Sequence, residues 1–312
     1  MIDIINFVDT LRSVELRQVE HFLAVAGEMS FTRAAERVHV VQSALSTSIA
    51  KLERELDVDL FDRSRQQIRL TAAGDRFLTH AYEVLRVSRA AADSVGEFRQ
   101  SLMGTVEFGS LISFGPMDVG RALGDFHRAH PFVRLRLRLS QAGASAYLGA
   151  LVEGSLDLAL VSVPDRFPRQ LEMRLLFAEP MVFVCRGDHA FADRGTLDLA
   201  DVALEDIVGF PPEFGLRRLM EGAFRAVGVA PRTQYEVPAG FAAIADLVRN
   251  GLGTAFMPAS EARRFSDLRP VELADHVLWQ VYLASRPVDH LTPATARLAD
   301  ALLDAAADAR AQ

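Results

Sequence analysis

Residues 16–71 read LRQVEHFLAVAGEMSFTRAAERVHVVQSALSTSIAKLERELDVDLFDRSRQQIRLT, and this stretch decides the fold of the first part of the chain. Its apolar residues first recur at helical spacing, at Phe22, Val25 and Ala26, which predicts an opening helix. A second, short helix is expected to start at Ser30 or Thr32, and a third to run from about Ser43 to Leu56 with one polar face. Three short helices with compact connections form a helix-turn-helix unit whose third helix is shaped to enter a DNA major groove. LFDRSRQQIRLT (60–71) follows, alternating from Ile68 onward and carrying Arg63, Arg65 and Arg69 with no acid between them. It reads as a two-stranded wing able to touch phosphate or the minor groove.

Within this unit the candidate DNA contacts sit at helix starts. Thr32 and Arg33 open the second helix, and Gln42, Ser43, Ser46, Thr47 and Ser48 lie in or just before the first turns of the third. Small hydroxyls at a helix N-terminus suit phosphate, while a glutamine reaches the adenine edge with two hydrogen bonds. Ser30 and Ser43 are also expected to cap their helices.

A chain of 312 residues suggests two or three domains, with half of its residues apolar and ordinary Gly and Pro contents. No apolar run approaches the roughly 20 residues needed to cross a bilayer, and no secretory leader opens the chain, so a cytoplasmic protein with no membrane partner is expected. The single cysteine, Cys185, excludes an internal disulfide framework. The net charge is −7, and residues 1–72 hold nine Arg/Lys against eleven Asp/Glu, a balance of −2. A DNA-binding unit is expected to be basic, and this one is basic only locally, along the wing, which predicts modest non-specific affinity.

From Thr71 to Met103 a single helix without proline is expected. Phe77, Ala81, Val84, Ser88, Ala91, Val95, Phe98 and Leu102 recur at alternating steps of four and three, the narrow seam of a helix that pairs with a second copy. After Gly104 strands alternate with helices, which predicts an α/β region with mainly parallel sheets. A crossing near residue 164 and a return near 266 imply a hinged pair of α/β subdomains resembling a periplasmic solute-binding protein. The expected division is an N-terminal extension over 1–15, a winged helix-turn-helix over 16–72, and a linker helix over 73–103. One subdomain then takes residues 104–163 and 266–312, and the other 164–265.

Ligands of such pairs bind between the lobes, at strand C-termini. The residues so placed are Ser110 and Ser113 after the first strand, Ser140 and Gln141 after VRLRLRL (133–139), Val163–Phe167 at the crossing, and Phe210–Phe214 and Val237–Phe241 on the second lobe. Walls built from Phe114, Phe210, Phe214 and Phe241 point to a partly apolar effector. Other candidates are weaker: His127 and His130 lack a third metal ligand, Cys185 sits in an apolar strand, and Gly251-Leu-Gly253 joins helix to strand rather than strand to helix.

Residues 16–74 closely resemble the N-terminal domain of LysR-type transcriptional regulators. Ser30-Phe31-Thr32, Ala34-Ala35, Gln42-Ser43, Leu45-Ser46, Ile49, Leu52-Glu53, Leu56, Leu60-Phe61 and Arg63 stand in register, followed by LTAAG. Weaker matches at GSLDLAL (154–160), Asp188-His189 and LVRNGLGTAFMP (247–258) extend the resemblance over nearly the whole chain. It implies DNA contact by Arg33, Gln42, Ser43, Ser46 and Arg63, and effector contact by Ser110 or Ser113. The residue after Ser46 is usually arginine in the family and is Thr47 here, which argues against carrying over any relative's operator. The function implied is a sequence-specific regulator that binds dyad-symmetric duplex DNA as a homodimer or homotetramer and responds to a small molecule, with no cofactor. A contact with RNA polymerase is left open. The competing readings are an enzyme fused to a DNA-binding head and an architectural DNA binder; the first lacks a nucleophile elbow or a Walker motif, and the second leaves two complete lobes unexplained.

Overall fold

The structure, a computed structural model, describes residues 14–63, 68–94, 102–111, 113–139, 143–162 and 167–311. The chain divides into two compact units, the first reaching residue 95 and the second holding the rest, residues 153–155 excepted.

The first unit opens with α1 (Leu16–Glu28), α2 (Phe31–Arg37) and α3 (Gln42–Leu56). Ser30 caps α2 as expected, its Oγ accepting from the Arg33 N–H at 3.4 Å. The second expected cap is not made: α3 starts after Val41 without a side-chain cap, and Ser43 lies inside the first turn. Leu45, Ile49 and Leu52 form the buried stripe of α3 at steps of four and three, and Asp57 ends the helix in the left-handed region at φ 56°. The wing is a two-stranded antiparallel ribbon, β1 (Phe61–Asp62) and β2 (Arg69–Leu70), with Phe61 opposite Leu70. Arg65 lies outside the described residues. Thr71 starts α4 (Ala72–Ser94), its Oγ1 accepting from the Gly74 N–H at 3.0 Å. Only glycine fits at Gly74, because a Cβ there would stand 2.2 Å from the Leu60 carbonyl oxygen. Phe22 packs between Phe61 and Phe77, at 5.2 and 4.9 Å between ring centroids, tying the wing and α4 into one core.

The linker differs from expectation in two ways. Residues 102 and 103 are not helical, and Leu102 packs on the core of the second unit; Val95 and Phe98 fall outside the described residues. Phe77 and Ala81 of the expected seam, with Leu85 beside them, are spent on the head's own core. Val84 and Val87, by contrast, are 46% and 52% exposed.

The second unit contains an eight-stranded sheet. On one side β3 (Gly104–Ser110) runs parallel to β4 (Val133–Leu139) and to β5 (Leu158–Ser162), with α5 (Val119–Ala129), α6 (Gly143–Glu153) and the final helix α10 (Pro293–Ala311) around them. The strand β6 (Glu172–Arg186) is fifteen residues long and serves both lobes. Its first half pairs antiparallel with β12 (Leu278–Ser285), and its second half pairs antiparallel with β10 (Ala255–Pro258) and β11 (Leu268–Leu273). The second lobe adds β7 (Thr196–Leu197), the parallel pair β8 (Ile207–Gly209) and β9 (Thr233–Glu236), and helices α7 (Gly215–Ala226), α8 (Phe241–Arg249) and α9 (Ala259–Ala262). Two expectations are corrected here. The sheet of the second lobe is largely antiparallel where it meets β6. And β11, expected beyond a return at 266, pairs with the second-lobe half of β6, so the chain crosses back only between Leu273 and Leu278.

Candidate functional site

The exposed face of α3 begins with Gln42, Ser43 and Thr47, with Ser46 half-buried beside them. Residues 42–50 (QSALSTSIA) carry no charge, so the positive end of the helix dipole is unopposed in its first two turns. The Thr47 hydroxyl donates to the Ser43 carbonyl at 2.8 Å, which leaves its lone pairs and methyl group for a partner. Thr32 and Arg33 are exposed at the start of α2. The Arg33 guanidinium reaches back to the C-terminus of α1, donating to the Glu28 carbonyl at 2.5 Å, with Arg37 at 3.2 Å from the Glu28 carboxylate.

Arg63 is more deeply engaged than its sequence suggests. Its guanidinium donates to Glu53 Oε2 at 2.6 Å and lies 5.0 Å over the Phe31 ring, while 40% of its side chain stays exposed. The other oxygen of Glu53 accepts from the backbone N–H groups of Leu60 and Phe61, at 2.9 and 3.1 Å. One buried carboxylate on the core side of the recognition helix therefore fixes both the entry to the wing and its first arginine. Sequence reasoning missed that role; the one signal was an acid on the buried stripe, next to Leu52.

In the second unit Ser110 ends β3, buried; its Oγ donates to the Leu111 carbonyl, and its own carbonyl accepts from the Tyr147 hydroxyl at 2.7 Å. Ser113 is also buried. Its Oγ donates to Glu261 Oε1 of α9 at 2.5 Å, a bond from the β3–α5 loop to α9, and accepts from the Gly115 N–H at 3.0 Å. Beside it Glu179 of β6 accepts from the N–H and hydroxyl of Ser260, at 2.7 and 2.8 Å. Burial pushes the Glu179 carboxyl up, and the Ser260 donors and Arg263 pull it back. At the end of β5, Ser162 accepts from the Trp279 indole N–H at 2.6 Å, and a Cβ on Gly215 would stand 3.2 Å from the Ser162 carbonyl oxygen. The first turn of α7 thus abuts the C-terminal end of β5.

The predicted aromatic walls take a different place. Phe210 stacks on Phe214 at 5.1 Å and meets Phe241 edge-on at 5.2 Å, all three buried in the core of the second lobe. They brace α7 and α8 instead of standing open over a cleft. Ser140, Gln141 and residues 163–166 lie outside the described residues. Cys185 is fully buried, and burial, with Glu205 and Asp188 adding to it, pushes its thiol up to about 11. His130 packs against the Phe126 ring at 5.0 Å. Among the described residues no cluster of three or more His, Cys, Asp or Glu could hold a metal, and no helix is long and apolar enough to cross a membrane.

A DNA-reading head joined to a two-lobed α/β domain defines a one-component regulator class, and comparison places the chain within it. Residues 16–75 match the bacterial regulatory helix-turn-helix protein, lysR family, and residues 99–307 match the LysR substrate binding domain. The chain belongs to the LysR family of transcriptional regulators. It is 32% identical to the HTH-type transcriptional regulator YnfL of Escherichia coli K12, over 84% of this chain and 89% of that one. It is 33% identical to the HTH-type transcriptional regulator ShiR of Corynebacterium glutamicum, over 78% and 82%. Among solved structures, a full-length OxyR variant from Pseudomonas aeruginosa matches with a TM-score of 0.71 at 23% identity, covering 94% of this chain and 95% of that one, a likeness of fold.

Proposed function

We propose that this regulator reads a dyad-symmetric operator through α3, with Gln42 on base edges, Ser43, Ser46 and Thr47 at the groove, and Thr32, Arg33, Arg63 and Arg65 on phosphate. The observation that carries the reading is the uncharged, exposed N-terminal half of α3 beside a wing whose arginine is held in place by Glu53. The head spans 16–72, α4 pairs copies through Val84 and Val87, and the protein works in the cytoplasm without a catalytic activity of its own. Footprinting with the full chain should reveal protection on both halves of a dyad. Equal affinity for that site and for random duplex refutes the reading.

The effector is taken between the lobes, where the ends of β3 and β5 meet the first turn of α7. Ser113 is the favoured contact: an incoming carboxylate or carbonyl takes the hydroxyl now given to Glu261, and so loosens the bond between the β3–α5 loop and α9. Ser113→Ala should lose the effector-dependent change in footprint and keep operator affinity. A response identical to that of the native protein moves the site elsewhere.

A further inference from the structure

Val41 is 69% exposed at the start of the recognition helix. Its backbone is fixed: extended at φ −74° and ψ 143°, it is the N-cap of α3, and its carbonyl accepts from the Ala44 and Leu45 N–H groups at 3.0 and 3.2 Å. Its side chain is turned away from the head's core, on which Val38 and Val40 of the same turn both pack. A valine is also among the poorest helix caps, because it cannot accept from the free N–H groups of the first turn as serine, threonine or asparagine would. The position forgoes both a cap and burial. Single exposed apolar side chains are ordinary on a protein surface. This one stands directly before Gln42, where the N-terminal residues of a recognition helix meet base edges.

What a valine can do there is limited by its chemistry. Its side chain has no donor for a phosphate oxygen and neither donor nor acceptor for a base edge, so it contributes only apolar contact. In the major groove the apolar group that distinguishes one base pair from another is the C5-methyl of thymine. Adjacent Cα atoms stand about 3.8 Å apart and stacked base pairs about 3.4 Å, so Val41 and Gln42 meet the same step or neighbouring ones. A glutamine suited to adenine beside a valine suited to thymine makes a composite reader of A·T pairs. We infer that Val41 is a specificity-determining residue, which recognises a thymine in each half-site by packing its γ-methyl groups on the C5-methyl. The inference rests on the reading of α3 as the helix that enters the groove, and adds to it a contact that no hydrogen bond supplies.

The test uses the full chain and a duplex operator selected by that chain from a random library. Each thymine of one half-site is replaced in turn by deoxyuridine, whose base differs only in lacking the methyl. At one thymine, deoxyuridine should weaken native binding about fourfold, the worth of one buried methyl-sized group. Val41→Ala should bind the thymine and deoxyuridine forms of that position equally. Val41→Ser, which caps α3 better than valine and carries no methyl, should lose the preference in the same way, so that a frayed helix cannot account for the loss. Deoxyuridine at the other thymines should affect native and variant chains alike. The inference is overturned if the selected half-sites share no thymine, if native binding is indifferent to deoxyuridine at every thymine, or if Val41→Ser keeps the native preference. Equal affinity of the native chain for the selected site and for random duplex overturns the operator reading and this inference with it, whereas intact discrimination without the thymine effect removes Val41 alone.

Discussion

Replacing Glu53 separates a buttress for the wing from an ordinary surface ion pair. The carboxylate is buried and accepts three hydrogen bonds, from the Leu60 and Phe61 N–H groups and from Arg63. Glu53→Ala strands two backbone donors and removes a buried charge's contacts, which should cost about 3–5 kcal/mol. Glu53→Gln keeps an oxygen for the two N–H groups and gives up only the contact to Arg63, which is partly solvated, so about 1 kcal/mol is expected. Amide hydrogen exchange at Leu60 and Phe61 in the full chain reads the local opening. At about 1.4 kcal/mol per tenfold, Glu53→Ala should accelerate exchange by about a hundredfold or more, and Glu53→Gln by less than about tenfold. Operator affinity should fall in the same order, because a loosened wing no longer presents Arg63. Exchange in Glu53→Ala within a few-fold of the native rate, or a Gln variant as damaged as the Ala variant, would refute the buttress.

Gln42→Ala should lower discrimination between operator and single-base variants by about 1–3 kcal/mol in competition binding, leaving random-duplex affinity in place. Arg63→Ala should weaken both duplexes and make the slope of log affinity against log salt shallower by about 0.9; an unchanged slope takes Arg63 off the phosphate backbone. With its thiol pushed up to about 11 and fully buried, Cys185 should resist a thiol reagent at pH 8 and react only on unfolding, and rapid labelling of the native chain would contradict that burial. His21 is buried in the head with no hydrogen-bond partner for Nδ1, and burial chiefly, with Arg17 adding and Glu20 opposing, holds its pKa below the usual value. A folded pKa below the unfolded one means that its contribution is complete above about pH 6.5 and is lost as pH falls; the loss of head stability as pH falls below about 6.5 should shrink in His21→Gln, and an unchanged loss refutes the assignment.

The helices of the head were legible because each carries its own local signal: the stripe Leu45, Ile49, Leu52 at helical spacing, Ser30 as a cap, and the alternation at Ile68–Leu70. The strands of the two-lobed unit were legible where they are apolar runs, as in residues 158–162 and 181–186. They were missed where the partner makes the strand. Thr233–Glu236 is mostly exposed and has no run of its own, yet pairs with Ile207–Gly209. The first half of β6, from Glu172, carries Glu and Arg and reads as a loop until β12 lies beside it. That one omission also misplaced the hinge, since a strand shared by both lobes ends neither at a crossing near 164 nor at a return near 266.

Site residues divide along the same physical line. The exposure of Gln42, Ser43 and Thr47 could be read because position at a helix N-terminus follows from periodicity alone. The fates of Ser113, Arg63 and Phe210 could not be, because each is set by a group far away in sequence: Glu261 is 148 residues from Ser113, and Glu53 reaches Arg63 only because the wing folds back on α3. An apolar aromatic near a strand end looks the same in sequence whether it faces a ligand or braces a helix. Phe210 braces α7 through Phe214. The first turn of that helix abuts Ser162, so in this fold the packing that hides an aromatic residue from sequence reading also ties the inside of one lobe to its junction with the other.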